Sequence, residues 1–499
     1  MSSIWTTLLN IAMVPLYIKY LGTESYGLIG FFVTTQILLQ ILDLGLSSTL
    51  NREVARCSAT GDMQEARNLL HSLAVVYWVM AVVIALIVFT LAPLVAKYWL
   101  QPEHLTESTV VNAITLMGLS IASRWPGGLY GGALMGLQKI ALLSAFGSIV
   151  ATISSFGAIC VLAFISPTIE AFFIWQASVG IVSVIALRFI TWREMYLGDK
   201  RSQFSVDSLI RIWRFSAGMG ALAVAAAVLM QIDKVLLSRL LSLEDFGKYS
   251  LAWVVASGLY VLLTPIFTVV YPRFTSLVAK EDTAVLMNLY RLITRLLTSI
   301  LFPLAVLIGV FAEDILYIWT GNKSLAAEVA PIARLLLIGS AINGVMIFPY
   351  ALQLAYGAVR LSFKICLILI VVTVPMTIFL AQKFGSIGGA YSWVIMNSIY
   401  LFMGSFLTYR LMLKEIGLKW LMWDVLLPLV SSILVLSILG GWIRELGMSH
   451  MINILIAIFI GLIAVLLLFL SSPSVRRALL DSIKEKDFGL KIFLNRRFF

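Results

Sequence analysis

Stretches of about 20 apolar residues recur from one end of this chain to the other, and each is long enough to cross the hydrocarbon core of a bilayer. Of the 499 residues, 61% are hydrophobic and 12% are charged, against about 25% charged in soluble domains. In lipid such a chain must satisfy its own backbone, and helix does this within one segment. A transmembrane β-barrel would instead alternate weakly in segments of about ten residues. The expected class is an all-α polytopic membrane protein. Fourteen spans are expected, near 4–20, 28–50, 72–95, 110–135, 140–165, 170–192, 215–239, 248–271, 296–311, 331–356, 365–382, 387–409, 424–443 and 451–471. No cleavable signal is expected, because Met1 leads almost at once into an apolar segment with no basic stretch before it.

Lysine and arginine set the orientation. With the N-terminus on the cytoplasmic side, the even-numbered connections and the tail hold 25 of the 36 basic residues. The positive-inside rule favours this arrangement, with both termini cytoplasmic. The net charge of +11 is read as this topology signal, and nucleic acid is not an expected partner. The basic tail is a positively charged cytoplasmic end, with an amphipathic helix on the anionic leaflet as the alternative. Cys57, Cys160 and Cys366 are too scattered for a disulfide framework or a metal site. His71, His104 and His450 are read as interfacial residues near span ends. No Walker A loop, HExxH or nucleophile–base pattern is visible, so neither an enzyme nor a cofactor is expected.

The chain repeats itself at an offset of about 220 residues, a spacing that suggests two parallel halves. Glu24, Tyr26 and Gly27 of "YLGTESYGLIGFF" fall opposite Glu244, Phe246 and Gly247 of "LLSLEDFGKYSLA", and Trp99 falls opposite Trp319. The expected organisation is a six-helix bundle over 1–192, a cytoplasmic linker over 193–214, a second six-helix bundle over 215–409, two additional helices over 410–471 and a basic tail over 472–499. Parallel repeats are a transporter architecture with the substrate between the halves. By the same offset the counterpart of the first span would begin about five residues before Met1, so the first span is expected to be short, with an upstream start and a small tilt as the two alternatives.

Polar residues inside the spans are the candidate site. Arg124, in "SIASRWPGGLYGG", sits near the middle of its span, about 15 Å from either interface at 1.5 Å per residue. A central charge costs about 2.5–3.5 kcal/mol on insertion scales, so Arg124 is either paired in the protein or faces a wet cavity. Pro126 should kink the helix, and Gly127 with Gly131 and Gly128 with Gly132 should allow close helix packing. Gln36, Gln40, Asp43 and Ser47 share one helix face in the second span, and Ser257, Tyr260, Thr264, Thr268 and Tyr271 do so in the eighth. Such stripes suit a central cavity or interhelical hydrogen bonds. The buried charges Asp43, Arg124, Asp233, Lys234 and Arg334 each lack a charged counterpart at the repeat offset, which favours specialised roles. Asp233 and Lys234 point about 100° apart on a helix of 3.6 residues per turn, so Asp233 is expected to pair across spans, with Arg124 or Arg334.

These segments, with "SRWPGGLYGGALMGLQK", "QIDKVLLSRLLSLEDFGKYSLAW", "ILYIWTGNKSLAAEVAPIARLLLIGSAINGV" and "FGSIGGAYSW", resemble the Wzx-type polysaccharide flippases. Those are the oligosaccharide exporters of the multidrug/oligosaccharidyl-lipid/polysaccharide superfamily, and the resemblance spans nearly the whole chain. It implies two bundles in a V shape, set in the inner membrane. It implies movement of an undecaprenyl-pyrophosphate-linked repeat unit to the periplasmic leaflet for O-antigen, other lipopolysaccharide glycan or capsule. It further implies alternating access through a cationic cavity, coupling to an H+ or Na+ gradient, and polymerase and chain-length regulator proteins as partners. By matching position it points first to Arg124 and Asp233, then to Arg334 and Asp43. Lys234, Gln40 and Tyr260 complete the candidate cavity set. A drug/cation antiporter and a peptidoglycan-precursor flippase of the same superfamily remain alternatives. Three bases against two acids among the buried charges lean toward an anionic substrate.

Overall fold

Helix carries most of the described chain, as a backbone deprived of water requires. The computed structural model describes residues 2–196, 202–413 and 417–445, then 450, 452–453, 455–456 and 459–461. No strand occurs among them. The expected tail, and most of the fourteenth span, lie outside the described residues.

By its contacts the chain divides into two units, Met1–Gly247 and Lys248–Phe499. The first contains α1 (Ser2–Leu39), α2 (Leu46–Thr60), α3 (Met63–Tyr98), α4 (Glu107–Arg124), α5 (Pro126–Gly136), α6 (Ile140–Phe164), α7 (Ile169–Glu194) and α8 (Val206–Leu240). The boundary falls within α9 (Leu243–Ser257). The helix expected to open the second half, α8, packs against α1, α2 and α3 of the first unit. The second unit continues with α10 (Tyr260–Ala279), α11 (Thr283–Val310), α12 (Ala312–Thr320), α13 (Lys323–Val345), α14 (Ile347–Ala355), α15 (Val359–Ile399), α16 (Ser405–Leu411), α17 (Gly417–Trp420) and α18 (Leu427–Glu445).

Ten helical segments among the described residues are long and apolar enough to cross a membrane, against the fourteen spans expected over the whole chain. Two of the elements explain part of the difference. The 38 residues of α1 and the 41 of α15 would run about 57 and 62 Å at 1.5 Å per residue, twice a bilayer core. Each is broken once, at Gly22 (φ 81°) and Gly385 (φ 62°). Both breaks lie in expected connections between spans. Only glycine adopts such backbone without a Cβ penalty.

The repeat is visible helix by helix. Shifted by about 220 residues, α3, α4, α5 and α2 fall on α11, α13, α14 and α10, and α6 and α7 fall on the two parts of α15. The same pairs pack in each unit: α3 on α4, α4 on α7 and α2 on α5 in the first, α11 on α13, α13 on α15 and α10 on α14 in the second. Even a cap repeats. Asp62 accepts from the Glu65 N–H at the start of α3, and Asp282 accepts from the Val285 N–H at the start of α11. The repeated glycines Gly27 and Gly247 meet one another. A Cβ on Gly27 would lie 2.2 Å from the Leu243 carbonyl oxygen, and one on Gly247 would lie 2.3 Å from that of Thr23.

Gly27→Ala is therefore expected to destabilise by about 1–3 kcal/mol through overpacking. Gly147→Ala, at an exposed helical glycine with nothing within 4 Å, should be neutral or stabilising by up to about 1 kcal/mol. Thermal melting of the two purified variants checks the contrast, and equal melting temperatures would contradict it.

Candidate functional site

The site forms where two helices of the first unit are interrupted. After α1 the chain tightens into a 3-10 turn, Gln40–Asp43, and passes through left-handed Leu44 (φ 47°) and Gly45 (φ 78°) before α2 begins. The Asp43 carboxylate steadies this turn. It accepts from the Ser47 hydroxyl at 2.7 Å, from the Ser47 N–H at 3.4 Å and from the Tyr77 hydroxyl. The second interruption lies between α4 and α5. Pro126 supplies no N–H and starts α5, where a missing donor costs nothing. The expected kink takes the form of a one-residue interruption at Trp125, which keeps helical dihedrals (φ −53°, ψ −50°), and Arg124 is the last residue of α4.

The two breaks line one cavity of about 300 Å³. Gln36, Gln40, Asp43 and Ser47 form one wall and Ile121, Arg124, Trp125 and Gly128 the other, with Tyr77 of α3 between. The polar stripe reaches one cavity although the helix breaks within it. Close packing of α5 on α2 holds the walls together. A Cβ on Gly132 would lie 2.6 Å from the Ser47 carbonyl oxygen, and one on Gly136 would lie 2.6 Å from that of Asn51.

Arg124 is not paired with Asp233, one of the two pairings expected. Its Nη2 donates to Gln176 Oε1 at 2.5 Å, to the Gln176 carbonyl at 3.4 Å and to Ser154 Oγ at 3.2 Å. Ser154 Oγ in turn donates to Gln176 Oε1 at 2.6 Å. The Nε of Arg124 and the Nε1 of Trp125 are buried without a hydrogen-bond partner. Asp233 pairs with its own neighbour: Lys234 Nζ lies 3.2 Å from both of its carboxylate oxygens, and both residues are buried. The four-carbon lysine stem reaches across the 100° step that separates the two Cβ atoms, which a comparison of Cβ directions leaves out.

The remaining candidates lie in the second unit. Arg334 Nε donates to the Gly309 carbonyl at 3.1 Å and lines a separate cavity of about 310 Å³, beside Ile338 of its own helix and Ile433, Ser437 and Gly441 of α18. Tyr260 donates to Asn343 Oδ1 at 3.0 Å, and Asn343 donates to Asn397 Oδ1 at 2.7 Å. The positions equivalent to Asp43 and Arg124 are Leu263 and Gly344. A Cβ on Gly344 would lie 3.0 Å from Leu263 Cδ1 and 2.8 Å from Leu301 Cδ2. Apolar side chains fill there the position that is a polar cavity in the first unit. Gln40, Asp43 and Arg124 are thus the candidates brought together. Tyr77, Ser154 and Gln176 were missed; Gln176 is the one amide between residues 170 and 192, a weak signal, whereas Ser154 sits among Ser148, Thr152 and Ser155 and does not stand out.

The profile of the family described as "Polysaccharide biosynthesis protein" matches residues 1–278, more than half of the chain. The chain belongs to the polysaccharide biosynthesis protein family. Among curated relatives, a putative O-antigen transporter of Shigella flexneri is 21% identical over 79% of this chain and 93% of its own length. The succinoglycan biosynthesis transport protein ExoT of Rhizobium meliloti (strain 1021) is 24% identical over 96% of this chain and 92% of its own. Both are named as transporters, in line with the reading of this family member as no enzyme. Its fold is that of the lipid II flippase MurJ in an inward closed conformation, with a TM-score of 0.70 at 16% identity over 94% and 96% of the two chains. An inward-facing multidrug resistance MATE transporter gives a TM-score of 0.66 at 14% identity over 83% and 96%.

Removing one partner of a buried ion pair costs about 3–5 kcal/mol, whereas an apolar replacement of both is often neutral. Lys234→Met should therefore lower the yield of monodisperse protein and its melting temperature sharply. Asp233→Leu combined with Lys234→Met should restore most of both. Size-exclusion profiles and melting curves of the three proteins decide it; a double variant worse than the single would contradict the pairing.

Proposed function

We propose that the protein is a flippase that carries undecaprenyl-pyrophosphate-linked oligosaccharide repeat units from the cytoplasmic to the periplasmic leaflet, by alternating access, for surface polysaccharide assembly. The observation that carries this reading is the first-unit cavity, where Arg124 is held by neutral oxygens beside the amides of Gln36 and Gln40. A pyrophosphate is matched by a planar guanidinium with parallel donors. Amides, hydroxyls and the Tyr77 and Trp125 rings suit sugars. Membership of the family and the names of the two curated relatives support the same substrate class. In this reading the chain lies in the inner membrane with both termini cytoplasmic, and hands its product to polymerase and chain-length regulator proteins. A drug cation would prefer an acidic wall; here the one acid, Asp43, is engaged by Tyr77 and Ser47. The fold shared with a lipid II flippase keeps a peptidoglycan precursor as the second reading, since its pyrophosphate chemistry is the same.

The test is the leaflet distribution of lipid-linked glycan in spheroplasts of the native host. Deletion should leave the glycan on the cytoplasmic face, and wild type should restore it. Losing a charge-assisted hydrogen bond costs about 1.5–3 kcal/mol, so Arg124→Ala should slow transport on the order of 10- to 100-fold, with Arg124→Lys retaining part. Full rescue by a well-expressed Arg124→Ala would remove the substrate contact. Accumulation of peptidoglycan precursor instead would favour the second reading.

Ion coupling by H+ or Na+ belongs to the same proposal, with Asp43 as the coupling carboxylate. Its contact with the Tyr77 hydroxyl and its place on the cavity wall support that role. Asp43→Asn should leave facilitated flipping measurable in proteoliposomes while abolishing its response to an imposed ion gradient. An unchanged gradient response would refute the assignment.

A further inference from the structure

Arginine inside an apolar bundle is ordinarily matched by a carboxylate, which cancels its charge. Arg124 is held differently. Its three hydrogen bonds go to a hydroxyl, an amide oxygen and a backbone carbonyl. None of these carries a formal charge, so the full positive charge remains at the cavity wall. The acid on that wall, Asp43, accepts instead from Ser47 and Tyr77.

The cradle is built. Gln176 and Ser154 are 6% and 8% exposed. Gln176 Oε1 receives donors from both Arg124 and Ser154, and only oxygen can accept two donors there, so the network fixes the orientation of the amide. The Trp175 indole donates to the Ser154 carbonyl at 3.2 Å and lies where a Cβ on Gly157 would be, 2.1 Å away, locking α6 against α7. One turn beyond Gln176, Gly180 lets α4 approach: a Cβ there would lie 2.3 Å from Ser123 Oγ and 3.1 Å from Arg124 Cγ. Two donors remain without acceptors, the Arg124 Nε and the Trp125 Nε1, on residues that line the cavity.

We infer that Gln176 is a positioning residue, which with Ser154 holds the Arg124 guanidinium by neutral oxygens and so reserves its charge for a pyrophosphate-class anion. The inference rests on the reading of this cavity as the head-group site, and it names the residue that makes the site selective for anions. A glutamate at position 176 has the same size and reach. It would hold Arg124 at least as firmly while cancelling the charge.

The experiment measures binding of a fluorescent prenyl pyrophosphate, and of the matched uncharged prenol, to the purified full-length protein. Wild type should bind the pyrophosphate more tightly than the prenol. Gln176→Glu should raise the Kd for the pyrophosphate at least about tenfold, about 1.4 kcal/mol, and leave that for the prenol unchanged. Gln176→Leu, which frees the guanidinium but keeps its charge, should fall between. If Gln176→Glu binds the pyrophosphate as wild type does while Arg124→Ala does not, the positioning role is overturned and the head-group reading stands. If Arg124→Ala also binds as wild type, the head-group reading itself falls. Equal losses for both probes in Gln176→Glu would reduce the residue to packing and overturn the inference. Should that variant fail to fold, Ser154→Ala is read instead, and an unchanged preference for pyrophosphate over prenol overturns it.

Discussion

Every backbone amide and carbonyl inside a bilayer must find a partner within the protein, and irregular backbone survives there only where it is buried or lines a cavity. The organisation of the first unit follows from this. Its two interior interruptions, at Gln40–Gly45 and at Trp125–Pro126, lie on opposite walls of one cavity. The breaks create the polar space and need it. Asp43, Ser47 and Tyr77 complete the hydrogen bonding of one break. At the other, proline removes a donor that would otherwise be left over.

The second unit interrupts its helices at the corresponding places, between α9 and α10 and between α13 and α14. It closes them differently. Tyr260 and Asn343, one from each side, bond directly, and the chain of bonds runs on through Asn397 to the Trp393 carbonyl. Leu263 stands where the first unit has Asp43, and Gly344 where it has Arg124. One repeated frame is thus used as a polar cavity in one unit and as a bonded, apolar-filled joint in the other. Charges that lacked counterparts at the repeat offset pointed to this asymmetry from the sequence alone.

The helical class, the repeat spacing and the kink at Pro126 were legible because they depend on period and composition. What was not legible depends on reach and on distant partners. The adjacency of Asp233 and Lys234 looked like an obstacle to pairing, since helical period describes Cβ directions and not a flexible stem. Ser154 and Gln176 lie on α6 and α7, and a neutral side chain in a span reads as ordinary interhelical hydrogen bonding. Gly22 and Gly385 break helices without ending them, so two pairs of expected spans each run on as one helical segment.

The same chain shows what a carboxylate does when an arginine has only to be anchored. Asp424, fully buried in the π-helical turn Leu421–Leu426, takes Arg291 Nε at 2.9 Å and Arg295 Nε as well. Its backbone carbonyl also accepts from the Thr298 hydroxyl at 3.0 Å. This clamp ties the segment before α18 to α11 by direct charge pairing, the strong form of such a bond. Had Arg124 needed only an anchor, a carboxylate at position 176 would have served in the same way. An amide there gives up Coulombic stabilisation inside the bundle, and the loss is intelligible if the charge it leaves exposed acts on something else.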